Sequence, residues 1–600
     1  MKMKMGLTAA ALAALAMTSI DASACSTVII GKDVSKTGTI IVGHNEDNGG
    51  RILSAQYYVP AATHKAGEMI KFEPKAAPIP QVEKTHGFYW SQTYSPSGAS
   101  FSDGFVNDKG VTIVSNACTT IFPENVQPLK DGGIGYGIRR IMAERADSAR
   151  DAVNIAIDLL GKYGYFAEGR TYTIADANEA WQIAIHQGNT WVARRVKDNE
   201  VVYIPNNFMM DKVDATDTEN VIVAPGLIER AIKQGRYKPA KAGVYSDFNY
   251  RVAVQPASKR AAAYNQSRNN LAWKKITGKE ITDPEKFPYS VVAKKKFGVK
   301  EVKELLRLHE KDIGKDFGWY HKAGNGLCRP TTHESLIVVQ NEHPELVQAF
   351  RTLARPCESP FVPFFPLAKP AAGTSFMDAA TATAEHFKGT IPNFSYNAAW
   401  PVWTFVSYAN ATDFLTNTRK KNTEFLLELE KELTENDSAV KAQAALLYKT
   451  SPAKALSYLK AYNERAFREA EGAVAERFAK IAPHQVALLA DTIDSTSDAA
   501  VEMVLFSDKK LDATKVDLSK VYAGLGRASI GNSGEVAKLA KPLTHRYADV
   551  NGDGKRDLVV TFSQKALATG MKAGATYDVW FYGFDKEKRP LTAFDTAAIK

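Results

Sequence analysis

The start of this chain constrains it most. Lys2 and Lys4 precede an apolar stretch from Gly6 to Met17, and Ala22-Ser23-Ala24 forms an A-x-A cleavage site directly before Cys25. A basic n-region, a short apolar core and small residues at the cut mark a secretory signal, which is too short to span a bilayer with its flanks. No later segment carries 18 uncharged apolar residues. The mature chain is therefore expected to fold in water, in a bacterial periplasm or the medium, with no transmembrane segment.

A cut after Ala24 leaves Cys25 first, and two chemistries place a cysteine there. One is lipidation, which would make the protein a surface lipoprotein anchored at Cys25. Lipidation favours a large aliphatic residue three positions before the cysteine, where this chain has Ala22. The other is nucleophilic catalysis. A thiolate is a strong nucleophile but needs a base, and an N-terminal cysteine carries one in its own α-amine, with an unperturbed pKa of roughly 7.7–8.0. One residue then supplies nucleophile and base. What remains to be found is an oxyanion hole and groups that hold the substrate.

With 600 residues the chain exceeds one ordinary core, so a large domain with smaller additions is expected. At 45% hydrophobic and 24% charged it is globular, not disordered. The formal charge of +10 is spread out, densest at Lys294–Lys296, and no nucleic-acid motif accompanies it, so no nucleic-acid partner is expected. Four cysteines, Cys25, Cys118, Cys328 and Cys357, do not make a disulfide scaffold. If an oxidising compartment bridges any pair, Cys328 and Cys357 are the pair expected.

Residues 25–413 read as alternating strands and helices, an α+β pattern with a largely antiparallel sheet. Thr27–Ile30, Thr39–Gly43 and Val111–Ser115 are β-rich. Ala152, Val153, Ala156, Ile157 and Leu160 recur at helical spacing, with Asp147 or Ser148 as cap and Gly161 as stop. Thr171–Ala175, Trp181–Ile185, Trp191–Arg195 and Val201–Ile204 suggest a meander of four strands. Residues 414–494 read as a helical extension, rich in Ala, Leu, Glu and Lys. Residues 495–600 read as a β-type accessory domain, with strands near Val501–Phe506, Leu558–Phe562 and Tyr577–Tyr582 and with Gly524, Gly526, Gly531 and Gly534 in its loops.

The stretch Cys25-Ser26-Thr27-Val28-Ile29-Ile30-Gly31-Lys32, followed by Gly43-His44-Asn45-Glu46-Asp47, resembles the start of the bacterial dipeptidase family of N-terminal-nucleophile cysteine peptidases. These are relatives of the penicillin V acylases and bile salt hydrolases. The resemblance continues through Asp103–Val111, Val114-Ser115-Asn116, Ile174-Ala175-Asp176, Glu179-Ala180-Trp181, Ile204-Pro205-Asn206 and Cys357–Pro363. It implies a four-layer αββα fold and amidase chemistry on small peptides, with Cys25 as nucleophile. Asp47 matches the acidic residue that accepts hydrogen bonds from the Cys25 α-amine or the substrate amine. Asn116 matches the donor to the oxyanion. Asn206 lies in a similar strand-to-loop position, with Asn207 as fallback, and Arg329 matches a positioning arginine on the substrate. His44 stands where the wider set has an arginine. It is either a substrate contact or a packed strand residue, and lacks the permanent charge and rigid fork of arginine. An acylase of the same fold remains the alternative to a dipeptidase.

Asp549-Val550-Asn551-Gly552-Asp553-Gly554-Lys555-Arg556-Asp557 alternates oxygen-bearing residues around glycines. This resembles a calcium loop of extracellular β-modules, with Asp549, Asn551, Asp553, Lys555 and Asp557 as its ligand positions and a structural Ca²⁺ expected. The competing reading is a polar hairpin turn. The histidines lack metal-motif spacing: His321 and His333 are twelve apart, His343 lies ten further on, and no H-E-x-x-H or C-x-x-C occurs. No cofactor is expected for the chemistry.

Overall fold

The structure is a computed structural model that describes residues 25–47, 53–94, 103–118, 128–310, 320–321, 326–386, 401–526, 539–571 and 573–600. The leader read over 1–24, and Gly531 and Gly534, lie outside the described residues.

Two antiparallel sheets form the centre. The main strands are β1 (Ser26–Ile30), β2 (Ile41–Asp47), β3 (Leu53–Val59), β4 (Phe88–Tyr94), β5 (Asp103–Asn107), β6 (Thr112–Ala117), β7 (Arg170–Ala175), β8 (Ala180–His186), β9 (Thr190–Val196), β10 (Glu200–Ile204), β11 (Val221–Val223), β12 (Ser290–Val292), β13 (Thr332–Val339), β14 (Gln348–Thr352) and β15 (Val362–Phe364). The seven-stranded sheet runs β12-β10-β1-β2-β13-β14-β15, and the eight-stranded sheet runs β11-β9-β8-β7-β6-β5-β4-β3. β1 lies between β10 and β2, with Thr27 opposite both Ile204 and His44. Its five residues are all buried, so an almost unbroken β-branched run suits a strand covered on both faces.

Helices α1 (Ile138–Arg145) and α2 (Ala149–Tyr163) cover the eight-stranded sheet, while α3 (Ala263–Thr277) and α4 (Val299–Leu306) cover the seven-stranded sheet. The two sheets pack on each other between these helices, with β1 against β6 and β13 against β3. The layer order is αββα, and the fold class is α+β. Arg351 on β14 ties the layers together. Its Nε and Nη2 donate to the two Glu334 oxygens at 2.9 and 3.1 Å, and Nη2 also donates to the Ser54 carbonyl of β3 at 2.9 Å. Gly43 on β2 permits the close approach of α4: a Cβ there would stand 2.5 Å from Val302 Cγ1 and 2.9 Å from Val28 Cγ1.

Three details differ from the sequence reading. The helix near 152–160 is capped by Ser148, whose side chain accepts from the Asp151 N–H, but it passes Gly161 and stops at Gly164, where φ is +74°. Gly161 meets nothing within 4 Å and is tolerated inside the helix, whereas Gly164 supplies the left-handed turn. The four-strand meander is broken after β9. The next strand, β10, leaves for the other sheet and pairs with β1. The turn before β10 lies against Gly31, where a Cβ would meet the Asp198 carbonyl oxygen at 2.4 Å. The absence of a side chain at Gly31 is what admits this crossing.

The third difference concerns boundaries. The divide at 413/414 falls inside α5 (Val402–Phe414). It is followed by α6 (Arg419–Thr434), α7 (Asp437–Thr450) and the long α8 (Pro452–Ile481). Two strands read as part of the helical extension, β16 (Val486–Leu488) and β17 (Thr492–Ile493), belong to the C-terminal sheets. Those sheets are β16-β18-β21-β20 and β17-β23-β22-β19, built with β18 (Ala500–Leu505), β19 (Tyr522–Gly524), β20 (Thr544–Ala548), β21 (Asp557–Ser563), β22 (Thr576–Phe584) and β23 (Pro590–Ile599). Helical periodicity ends at Ile481, but two short strands of mixed polarity carry no strong period of their own. The module docks on α5 through an apolar cluster of Ala411, Phe414, Leu415, Trp580 and Tyr582. Asn410 Nδ2 donates to Tyr582 Oη at 3.1 Å within that contact. Among the described residues no helix is long and apolar enough to cross a membrane.

Candidate active site

Cys25 stands just before β1 and is fully buried. Strand pairing fixes its neighbours. Thr27 opposes His44 and Ser26 opposes Asn45, so the next pair outward brings Cys25 beside Glu46. Side chains alternate across a strand, which puts Cys25, Thr27, His44 and Glu46 on one face. There the Cys25 thiol donates to Glu46 Oε1 at 3.0 Å, and His44 Nε2 lies 2.9 Å from Glu46 Oε2. His44 Nδ1 is 2.7 Å from Thr27 Oγ1, which itself donates to Asn116 Oδ1 at 2.5 Å. One continuous chain of hydrogen bonds thus runs from the sulfur through Glu46, His44 and Thr27 to Asn116.

Burial pushes the Cys25 thiol well above its ordinary value, and the charges of Glu46 and Asp47 push it further; the Asp47 backbone N–H opposes them. Burial also pushes Glu46 up, but the hydrogen bond and charge of His44, the charge of His333 and the Cys25 thiol outweigh it and hold Glu46 down at about 2. A carboxylate so weakly basic is a poor acceptor for the proton of a thiol so weakly acidic. Glu46 orients the thiol.

Asp47 alternates away from Glu46 and accepts a hydrogen bond from Thr332 Oγ1. Burial raises its carboxyl to about 7, against the opposing charges of Arg329 and Arg268 and the Thr332 bond. Arg329 is half-buried. Burial and the nearby Arg268 lower it to about 10, while Asp47, Tyr264 and Cys25 act to raise it. Its Nε and Nη1 find no hydrogen-bond partner among the described residues. Arg268 Nη1 donates to the Cys25 carbonyl oxygen at 2.8 Å, and Arg268 Nη2 donates to Asn265 Oδ1 at 2.7 Å.

Asn116 and Asn206 form a reciprocal link between the sheets. Asn116 Nδ2 donates to the Ile204 carbonyl at 3.1 Å, and Asn206 Nδ2 donates to the Ala117 carbonyl at 2.8 Å. Each amide group has a second N–H to offer. Asn206 N–H donates to Asn265 Oδ1 at 3.2 Å. Asn207 is buried beside it.

The structure therefore gathers Cys25, His44, Asp47, Asn116, Asn206 and Arg329 at one end of β1, β2 and β10. The arrangement gives His44 a hydrogen-bonded place between Thr27 and Glu46. Sequence reading assigned nothing to Glu46, Arg268 or Asn265. The pleat would have found Glu46, because counting by two from His44 keeps it on the Cys25 face. Asn265 and Arg268 lie one turn apart on α3 and are buried with Asn269, Ala272 and Trp273. A polar stripe on an otherwise core-facing helix side was the available signal for them.

The 549–557 loop belongs to the C-terminal module, between β20 and β21. Asp549 Oδ1 and Oδ2 accept the N–H groups of Asp553 and Gly554 at 3.0 and 2.9 Å. Asn551 Oδ1 accepts from Asp553 N–H at 3.1 Å, and Lys555 Nζ donates to Asp553 Oδ2 at 3.0 Å. Both oxygens of the buried Asp557 accept backbone N–H groups, from Ser507 and Val550, each at 2.9 Å. All four cysteines are free thiols; Cys328 and Cys357 are not bridged, their sulfurs lying 3.4 Å apart.

The sequence is similar to several known proteins. A protein from Latilactobacillus sakei described as a probable dipeptidase is 25% identical over 371 residues, covering 58% of this chain and 75% of its own. A probable dipeptidase from Salmonella dublin is 24% identical over 302 residues, covering 49% of this chain and 68% of its own. The penicillin V acylase structure from Agrobacterium tumefaciens aligns at 9% identity over 57% of this chain and 86% of that one, with a TM-score of 0.27. The model of Peptidase family C69 matches residues 24–410, a span that opens beside Cys25 and contains every residue of the hydrogen-bonded chain from the sulfur to Asn116. On that match the chain belongs to Peptidase family C69.

Proposed function

We propose that this peptidase is an exported dipeptidase in which Cys25, made N-terminal by removal of the leader, attacks the amide bond of a small peptide with its own α-amine as base. The observation that carries this reading is the Cys25 thiol itself. It is buried and aimed by Glu46, the Asp47 carboxyl raises it, and the Arg329 guanidinium lies close enough to feel its charge. Such opposite charges match a zwitterionic dipeptide. Its ammonium goes to Asp47, and its carboxylate goes to Arg329 Nε and Nη1.

The α-amine takes the Cys25 thiol proton, which Glu46 is too weak a base to remove. The thiolate attacks the peptide carbonyl, and the second amide N–H groups of Asn116 and Asn206 stabilise the oxyanion. The α-ammonium gives its proton to the leaving amine, forming a thioester, and water deprotonated by the α-amine then releases the acyl product. In the 600-residue chain the nitrogen of Cys25 is an amide, so the unprocessed form is expected to be inactive.

The test pairs the mass and N-terminal sequence of the mature protein with hydrolysis of Ala- and Gly-containing dipeptides, penicillin V and conjugated bile salts. A free Cys25 start and selective dipeptide turnover are expected. A different or blocked N-terminus in active enzyme sinks the mechanism, and faster cleavage of penicillin V or bile salts sinks the substrate assignment.

A further inference from the structure

A second cluster of reactive side chains lies outside the catalytic network. His309, His321, Cys328 and Cys357 bring one ligand atom each to a common point, all within 4.8 Å of one another. His321 Nε2 is 3.1 Å from His309 Nε2, 3.3 Å from Cys357 Sγ and 3.6 Å from Cys328 Sγ, and the two sulfurs are 3.4 Å apart. From His321 Nε2 and these three neighbours, we infer that the four residues form a Cys₂His₂ site for a structural Zn²⁺.

Geometry supports the assignment. Zinc bonds of about 2.3 Å to sulfur and about 2.05 Å to nitrogen, set at tetrahedral angles, place sulfur about 3.8 Å from sulfur, nitrogen about 3.3 Å from nitrogen and nitrogen about 3.6 Å from sulfur. The four separations given above lie within about 0.4 Å of these values, and the two from His309 to the sulfurs are within 4.8 Å. Hydrogen bonding accounts for the arrangement poorly. One ring nitrogen offers a single proton or a single lone pair, yet three groups crowd around His321 Nε2. A cation at the centre of the four atoms satisfies them together.

The surroundings fit as well. His321 Nδ1 lies 2.7 Å from Asp413 Oδ1, and the His321 backbone N–H donates to the same oxygen at 2.9 Å. A carboxylate on the far nitrogen fixes the tautomer and turns the Nε2 lone pair toward the metal. Glu358 stands 3.5 Å from the same Nδ1 and is itself held by Arg355 and, at 2.7 Å, by Arg419. His309 and Cys357 also line an open cleft beside α4 and α6, which gives the ion an entry path. Mixed imidazole and thiolate ligands in tetrahedral array select zinc over Ca²⁺ or Mg²⁺. Binding releases the two thiol protons, leaves no oxidation-state change and needs no other reactant.

The test uses the full mature protein. After growth with added zinc, elemental analysis is expected to find one zinc per chain, lost in Cys328→Ser and Cys357→Ser and kept in Cys25→Ala. To read the site without a substitution, the wild-type protein is also stripped with a chelator and titrated with Co²⁺. Thiolate-to-cobalt charge transfer with tetrahedral d–d bands at one equivalent supports the site. Absence of zinc together with absence of these bands in reduced wild-type protein overturns it, as does a Cys328–Cys357 disulfide in the native protein by peptide mass mapping. None of these readouts depends on the catalytic reading of Cys25.

Discussion

The Cys25 thiol and the Glu46 carboxylate meet at 3.0 Å because β1 and β2 pair in a register that sets the two residues side by side on one face. The same carboxylate takes His44 on its other oxygen, so the sulfur is oriented by a group that is itself held. Replacing Glu46 by Gln removes a charge and a hydrogen bond that both raise the thiol. The thiol pKa read from pH-dependent alkylation is expected to fall while kcat falls as well, by roughly 10²-fold. An unchanged thiol pKa would show that Glu46 does not control the sulfur.

Cys25→Ala should lower dipeptide turnover by roughly 10⁴-fold or more, the scale seen when a nucleophile is removed. Its thermal unfolding should stay close to the parent, because Glu46 keeps its contact with His44 when the sulfur is gone. Retained turnover would assign the chemistry to another residue.

Asp47 gives a pH signature. With its carboxyl near 7, it is neutral below that pH and charged above it. If the charged form holds an ammonium group, kcat/KM should rise with pH through about 7, and Asp47→Asn should flatten that limb. The stability consequence has the opposite sense. The folded pKa lies above the unfolded one, so the contribution is full at low pH and is lost as pH rises through the folded value. Asp47→Asn should therefore be more stable than the parent above neutrality, measured by denaturant unfolding at two pH values.

Gly43→Ala tests the support of the site. The added methyl meets Val302 and Val28 at contact distances too short to accept. Overpacking of this kind costs about 1–3 kcal/mol. Because β2 carries His44, Glu46 and Asp47, activity should fall together with stability. A fully active, fully stable variant would mean that α4 moves freely.

Arg351→Leu should cost about 3–5 kcal/mol, since it leaves a buried carboxylate without its partner. Burial pushes Glu334 up, but the Arg351 charge and the hydrogen bonds from Arg351 and Ser91 bring it below the usual carboxylate range. That stabilisation is present above the unfolded pKa and lost as pH falls through the lowered folded value. The gap between parent and variant should thus close in acid, read by chemical denaturation across pH.

Much of the catalytic layer was legible because β1 and β2 are β-branched runs between turn residues, and their ends carry Cys25, His44 and Asp47 in short sequence windows. Periodicity located α2 and the helices after Phe414. What it missed depends on contacts distant in sequence. β10 left the expected meander because its partner is β1, which no local pattern encodes. Arg268 reaches the Cys25 carbonyl across 243 positions of chain, and His309, His321, Cys328 and Cys357 have none of the close spacings by which metal sites announce themselves. Short spacings are visible to a linear reading; convergence of separate loops is a property of the folded chain.

β1 is hydrogen-bonded on both edges, to β10 and to β2, so it has no freedom to slide. On the proposed chemistry, a chain processed one residue early would keep its sulfur in place but carry its amine a full residue away, about 3.3 Å along the strand. On that proposal the processing protease would act as a gauge as well as a release step, and only a correctly measured cut would arm the enzyme.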